Sequence, residues 1–322
     1  MYPNTGATIR ADLNSVVEEA SMAEAFFIGE KLLPSFGVDV KSGTYAKLTK
    51  AITESMKAAP TDNRRERGGS YPRVKRAWTS AEYDTVDRGL EEAVDDCDQK
   101  DAARFFNAES VSAKLVLRAM KIAHEKRVAA EIFHATTWGT PTNSSVAYTT
   151  GNIATIDAAE DIQAAIERVY DNGEQADTIV IPSAVYNRLR RSTLLKSFLV
   201  GQNLPGANIT PDAIGQAFAA NGIKQVLIAA SREDTAVKKA TQTYTAGKIW
   251  SNDYIWVGKV ASGDFMNGGA GRTIVWNAEG GLWVTESYRE ESTRSNIVRV
   301  RQHTVEKIVD ASCGTLIATQ YS

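Results

Sequence analysis

The chain has 322 residues, 43% of them hydrophobic and 24% charged, with a formal net charge of −2. This is ordinary globular composition with room for two or three domains. It excludes the basic excess of a protein that wraps nucleic acid through its phosphates, and no apolar run approaches the ~20 residues of a membrane span.

The first residues, up to Thr8, read as an unanchored arm without the basic start and apolar block of a signal peptide. Folding in the cytoplasm is expected. From Asp12 to Ile28 an amphipathic helix is predicted, with Leu13, Val16, Val17, Ala20, Ala23 and Phe27 at helical spacing; Pro34 and Gly37 end it. Lys41 to Ser55 reads as a strand and Ala59 to Gly69 as a polar loop. Tyr71 to Asp87, with Val74, Trp78, Tyr83 and Val86, is the return strand. Together they make a long hairpin with a charged tip. An isolated hairpin is marginal in water, so a neighbouring subunit is expected to support it.

Ala108 to His134 is the strongest predicted helix, about 40 Å long. Val111, Leu115, Ala119, Ile122, Ala129 and Phe133 form its expected inward stripe. Lys114, Arg118, Lys121, Glu125 and Lys126 fill the rest. Thr136 to Gly151 is a connector. A helix from Asp157 to Tyr170 capped by Asp157, a buried strand Thr178–Ile181, and a helix Ala184–Leu189 opened by Pro182–Ser183 follow. Then come a helix Pro211–Asn221 behind Thr210 and a strand Gln225–Ala229. This middle section reads as a compact α/β domain. From Arg272 onward the chain is β-rich and requires an earlier partner, for which the long helix is the natural choice. One domain is thus built from two separated segments, with the α/β section inserted between them.

The candidate chemistry is sparse. Gly263 to Thr273 lacks the lysine of a phosphate-binding loop, and no strand–glycine turn–helix unit surrounds it. Asp95, Asp96, Asp98 and Asp101 miss the calcium-loop spacing, with Lys100 and Asp101 where an oxygen ligand and a glycine belong. His124, His134 and His303 have no partner at metal-binding spacing, and no nucleophile elbow is present. Cys97 and Cys313 stand outside any CxxC or Cys/His cluster and read as free thiols. No catalytic, metal or cofactor residue is predicted. Charge patterning carries more. A basic block (Arg64, Arg65, Arg67, Arg73, Lys75, Arg76) precedes an acidic block (Asp84, Asp87, Glu91, Glu92, Asp95, Asp96, Asp98). Either these are solvated faces, or they are complementary surfaces that pair between subunits and set register.

The ordered set of segments resembles the major capsid proteins of tailed bacteriophages with the Hong Kong 97-type fold, in the branch without a long pro-domain. Arg64–Asp96 looks like the family's extended loop, Phe105–Phe133 like its spine helix, and Ala176–Leu199 and Ile209–Asp234 like axial-domain elements. Lys248–Ala261 and Gly271–Gln320 look like late peripheral strands. The resemblance implies an α+β fold. Residues 1–35 would form the N-terminal arm and helix, 36–104 the extended β-hairpin loop, 105–149 with 262–322 the peripheral domain and spine helix, and 150–261 the axial domain. It further implies hexamers and pentamers closed as an icosahedral shell in the virion, assembled in the host cytoplasm. That shell would enclose double-stranded DNA without sequence-specific binding. A separate scaffolding protein, a portal protein and a decoration protein are the implied partners. An encapsulin-like compartment shell is the alternative. An α/β enzyme on the middle section ranks below both, because Pro182–Ser183 follows the strand Thr178–Ile181 where a glycine-rich turn is needed.

Overall fold

The computed structural model describes residues 8–9, 13, 26–47, 64–65, 67–71, 79–103, 107–204, 208–235, 245–263 and 268–321. Most of the predicted helix Asp12–Ile28, the strand beyond Lys47, and Arg73, Lys75 and Arg76 lie outside the described residues. In chain order the first elements are β1 (Thr8–Ile9), α1 (Gly29–Leu32), β2 (Ser35–Val38), β3 (Ser42–Lys47), β4 (Thr79–Asp84), β5 (Val86–Asp95), α2 (Asp96–Ala102) and α3 (Ala108–Ile132). The middle section holds β6 (Thr142–Asn143), α4 (Ala158–Asp171), β7 (Thr178–Pro182), α5 (Ser183–Leu189), α6 (Thr193–Gly201), α7 (Pro211–Ala217) and β8 (Gln225–Ala229). The chain ends with β9 (Arg232–Asp234), β10 (Ala246–Lys248), β11 (Tyr254–Gly258), β12 (Gly271–Trp276), β13 (Val284–Glu290), β14 (Ser295–Ile308) and β15 (Gly314–Ala318).

Local chemistry explains the helix starts. Asp157, Asn107, Thr210, Ser192 and Asp95 each turn a side-chain oxygen onto a backbone N–H of the following first turn, satisfying donors that helices leave orphaned. The helix expected to run to Asn221 stops at Ala217. A 3-10 turn, Ala219–Asn221, follows, and Gly222 at φ 94° reverses the chain, a conformation that suits glycine.

Two sheets organise the molecule. The five-stranded sheet has the order β6-β15-β11-β7-β8. Every residue of β7 is buried, as a continuous apolar run in a doubly covered strand should be. Ile179 and Ile181 point to one core with Ile162, Ile166 and Val169 of α4. Val180 points to the other, with Trp256, Leu316, Trp138 and Trp250. The C-terminal end of α3 (Val128, Ala129, Ile132) closes that second core.

The second sheet has the order β1-β13-β14-β12-β2, with β5 also paired to β14 over Ser295–Thr304. The N-terminal half of α3 lies on it through Ala113, Val116, Leu117 and Met120 against Val94, Val298 and Val300. Helix α3 therefore spans both sheets, roughly 38 Å end to end for 25 residues.

Three expectations change. The inward stripe of α3 is not the predicted one: Val111 and Leu115 are 39% and 56% exposed. Of the predicted stripe only Ala129 is fully buried, while Lys121 and Glu125, expected outside, lie inside. Two apolar stripes of similar strength compete on this helix, and the valines of β14 decide between them. Second, a strand continues through Val86–Asp95, past the return strand's expected end at Asp87 and into the acidic block; its backbone pairs with β14 although only Val94 is fully buried. Third, β15 leaves the late β-rich segment and enters the five-stranded sheet between β11 and β6.

Candidate intersubunit surfaces

The predicted hairpin is paired at its base, Ser42–Lys47 against Thr79–Asp84. Thr85 pins that base to the body. Its backbone N–H and hydroxyl both donate to Lys41 O, and Thr85 O accepts from His303 Nε2 at 3.1 Å. Of the basic block, Arg64, Arg65 and Arg67 are described and exposed. Arg65 donates to Gly69 O at 2.7 Å, and its guanidinium lies 5.4 Å from the Tyr71 ring centroid.

The acidic block divides. Asp96 receives two bonds from the Arg289 guanidinium, at 2.5 and 2.8 Å, and those bonds hold its carboxyl below the usual carboxylate range. Asp95 caps α2 by accepting from Cys97 N at 2.7 Å. Glu91 accepts from Tyr288 Oη at 3.1 Å. Asp84, Asp87 and Asp98 are exposed, and Glu92 is half-buried. The cross-strand pairs His303↔Asp87, Arg299↔Glu91 and Ser295↔Asp95 put Asp87, Glu91 and Asp95 on one face. Arg299 and Arg301 share that face and both bind Glu286. The sheet thus keeps a wet, charged face opposite the helix, the usual arrangement for an antiparallel sheet covered on one side. Sequence reasoning missed Arg289, 193 positions along the chain from the Asp96 it binds, and the cluster of Glu286, Arg299 and Arg301; only the Arg299, Arg301, His303 alternation hinted at the latter.

Beneath the helix lies a buried charged layer. Glu125, 1% exposed, accepts from Ile28 N at 3.2 Å, Gly29 N at 2.7 Å, Ser231 Oγ at 3.2 Å and Trp250 Nε1 at 2.7 Å. It ties α1, the strand β9 region and Trp250 to α3. Burial raises its pKa and those four donors oppose the rise. Glu306 meets Arg127 Nε at 3.0 Å and His124 Nε2 at 3.6 Å. Burial pushes the His124 pKa down, and Glu306 opposes that.

The layer is not a catalytic site. His124 presents the same nitrogen, Nε2, to both Thr273 Oγ1 and Glu306, so it cannot relay a proton between them through its two nitrogens as a hydrolase triad does. Thr273 Oγ1 donates to Leu33 O, and the whole group is sealed from solvent. His134 is exposed beside the Thr136 and Thr137 hydroxyls of its own turn. Among the described residues one cluster has metal-ligating types within reach: Glu174, Asp310 and Cys313. Lys259 already occupies it, 2.8 Å from Glu174, and burial drives the Cys313 thiol far up. A surface groove of about 490 Å³ is lined by Ser42, Thr44, Glu82, Tyr83, Asp84 and Lys307. It is polar, unlike the mostly apolar clefts that take small molecules. Among the described residues no helix is long and apolar enough to cross a membrane.

No protein-family model and no curated protein matches the sequence. Solved structures do. A phage-related protein from Bordetella bronchiseptica RB50 aligns at TM-score 0.71 and 16% identity, over 98% of this chain and 98% of that one. The capsid of cyanophage P-SCSP1u aligns at TM-score 0.57 and 12% identity, over 90% and 86% of the two chains. A virus-like particle from Pyrococcus furiosus aligns at TM-score 0.53 and 11% identity, over 95% and 97%. The chain has the mixed α+β fold of phage capsid proteins.

Proposed function

We propose that the chain is the structural shell subunit of a tailed-phage head, of Hong Kong 97 type, and acts by self-assembly without catalysis. The observation that carries this reading is the end-to-end likeness to phage-related and capsid structures, which leaves neither chain with a large unmatched domain. Hexamers and pentamers would close an icosahedral shell around double-stranded DNA, with residues 150–261 at the ring centres and the hairpin reaching over a neighbour. Near-neutral net charge suits a wall that borders DNA without gripping it. Arg64, Arg65, Arg67, Arg73, Lys75 and Arg76 would meet Asp84, Asp87, Glu91, Glu92 and Asp98 of the next copy. Asp95 and Asp96, engaged within their own chain, would contribute less. A heterologous contact repeated between copies closes into rings. Exposed pairs are worth only ~0–1 kcal/mol each, so they steer assembly more than they hold it. Scaffolding and portal proteins are the partners this role calls for, with a decoration protein as an optional addition, and a virion formed in the host cytoplasm is its place.

Negative-stain microscopy with light scattering on the purified protein tests the reading. Uniform shells, rings or tubes are expected. A monodisperse monomer across salt conditions and with a co-expressed scaffold would overturn it. A second reading is an encapsulin-like compartment shell built on the same fold. The particle contents decide between them: packaged DNA for the phage head, an enclosed enzyme for the compartment.

A further inference from the structure

Three successive inward residues of β14 carry polar atoms that meet no partner. Gln302, Thr304 and Glu306 are 1%, 0% and 6% exposed. Among the described residues, Gln302 Oε1 and Nε2, Thr304 Oγ1 and Glu306 Oε1 have no hydrogen-bond partner, and neither has the buried Nη2 of Arg127 on α3. The ion pair here uses only one atom of each group. Arg127 Nε donates to Glu306 Oε2 at 3.0 Å, and His124 Nε2 stands 3.6 Å from Glu306 Oε1, too far for a hydrogen bond. The flanking strands add nothing: Thr304 lies between Val86 of β5 and Val275 of β12. Arg88, opposite Gln302, turns Nη1 to the backbone oxygens of Thr304 and Val86. An unpaired buried donor or acceptor is costly, and native proteins bond nearly all of theirs. Five such atoms in one seam are a heavy load for a marginally stable fold.

We propose that a row of ordered water molecules is built into the seam between α3 and β14, bridging Gln302, Thr304, Glu306 and Arg127. Residues two apart on a strand share a face and stand about 6.8 Å apart at Cα. A direct bond spans only about 3 Å, whereas one water bonded to both neighbours spans nearly twice that. The mixture of atoms selects the ligand. Gln302 Nε2 and Arg127 Nη2 donate, Gln302 Oε1 and Glu306 Oε1 accept, and the Thr304 hydroxyl does either. A small anion would face the Glu306 carboxylate, and a metal cation would face the Arg127 guanidinium. An apolar guest would leave every one of these atoms unpaired. Water donates and accepts at once, and a buried water typically makes about three bonds to such groups. The seam lies within one chain, so its hydration stands or falls independently of shell assembly.

The test is a crystal or cryo-microscopy map of the full chain at a resolution that shows ordered water, with magnetic relaxation dispersion of the water oxygen in solution beside it. Peaks are expected about 3 Å from the side-chain atoms of Gln302 and Thr304 and from Glu306 Oε1, each touching donors as well as acceptors. The dispersion should report long-lived internal water. Gln302→Leu combined with Thr304→Val removes three of the five atoms and nearly keeps their shapes. The peaks beside those two residues should vanish, and the dispersion amplitude should fall below that of wild type. Thr304→Val releases its water together with its hydroxyl, so stability need not drop. Side chains of Gln302, Thr304 and Glu306 bonded directly to one another, with no peak between them, would overturn the inference. So would a peak contacted by acceptors alone, which is a cation, or by donors alone, which is an anion. An unchanged dispersion amplitude in the folded double variant overturns it as well. Circular dichroism checks that the variant folds, and the wild-type map decides without it.

Discussion

The two sheets bury themselves in different ways. The five-stranded sheet is apolar on both faces, with isoleucines toward α4 and tryptophans toward the end of α3. The six-stranded sheet seats α3 where Val298 and Val300 meet Leu117 and Met120. Farther along β14 the inward positions become Gln302, Thr304 and Glu306, buried and polar, and its other face is a lattice of Arg299, Arg301 and Glu286. The first sheet is a core that sustains itself. The second trades core for charge, and charge is what orients neighbours in an assembly.

That contrast can be broken by mutation. The largest effect is expected in the five-stranded sheet. Ile166→Ala removes a fully buried side chain and should cost about 2–5 kcal/mol, read from urea unfolding of unassembled protein. A cost below ~1 kcal/mol would mean that this core is looser than its packing implies. Glu125→Gln should cost about 1–3 kcal/mol. An amide keeps the oxygen that serves Ile28, Ser231 and Trp250 but turns its NH₂ toward the Gly29 N–H.

In the polar layer the sign should reverse. Thr304 is fully buried, and its hydroxyl meets no hydrogen-bond partner among the described residues. Thr304→Val should be neutral or stabilise by up to about 1 kcal/mol. A loss comparable to that of Ile166→Ala would show that the hydroxyl is essential to the layer.

The same layer should titrate in two directions. Glu125 has a raised folded-state pKa, so the folded chain holds that proton more tightly than the unfolded chain. Its contribution makes stability fall as pH rises from about 4.5, the ordinary value for the carboxyl, through the folded pKa. His124 has a lowered pKa, so the unfolded chain takes the proton first. Its contribution is complete above 6.5, the ordinary value for the imidazole, and is lost as pH falls from there to the folded pKa. The charged groups facing it are Glu306, Arg127, Glu30 and Lys121. Stability measured against pH for wild type, Glu125→Gln and His124→Gln should show each variant losing its own slope. Unchanged profiles would remove both groups from the pH dependence. The smallest effect is expected at Asp96→Asn, whose pair with Arg289 is half-buried at the surface. Added salt should erase the difference from wild type, and the wild-type contribution should disappear only below 3.8, the ordinary value for the carboxyl, as Asp96 takes its proton.

Local signals determined much of this molecule from the sequence alone. Asp157 and Thr210 announce the helices they cap, TIVI announces a strand covered on both faces, and the long run from Ala108 announces a beam. These depend on neighbours a few residues away, and a chain carries that information openly. Tertiary structure alone decided which stripe of α3 turns inward, because two apolar stripes compete and the choice rests with Val298 and Val300, some 180 positions later. It alone continued the strand to Asp95, where charged side chains conceal a backbone held by β14. It alone sent β15 to the other sheet and joined the acidic block to Arg289. Pairing and burial between distant segments depend on what the folded chain brings together, and no local period records that.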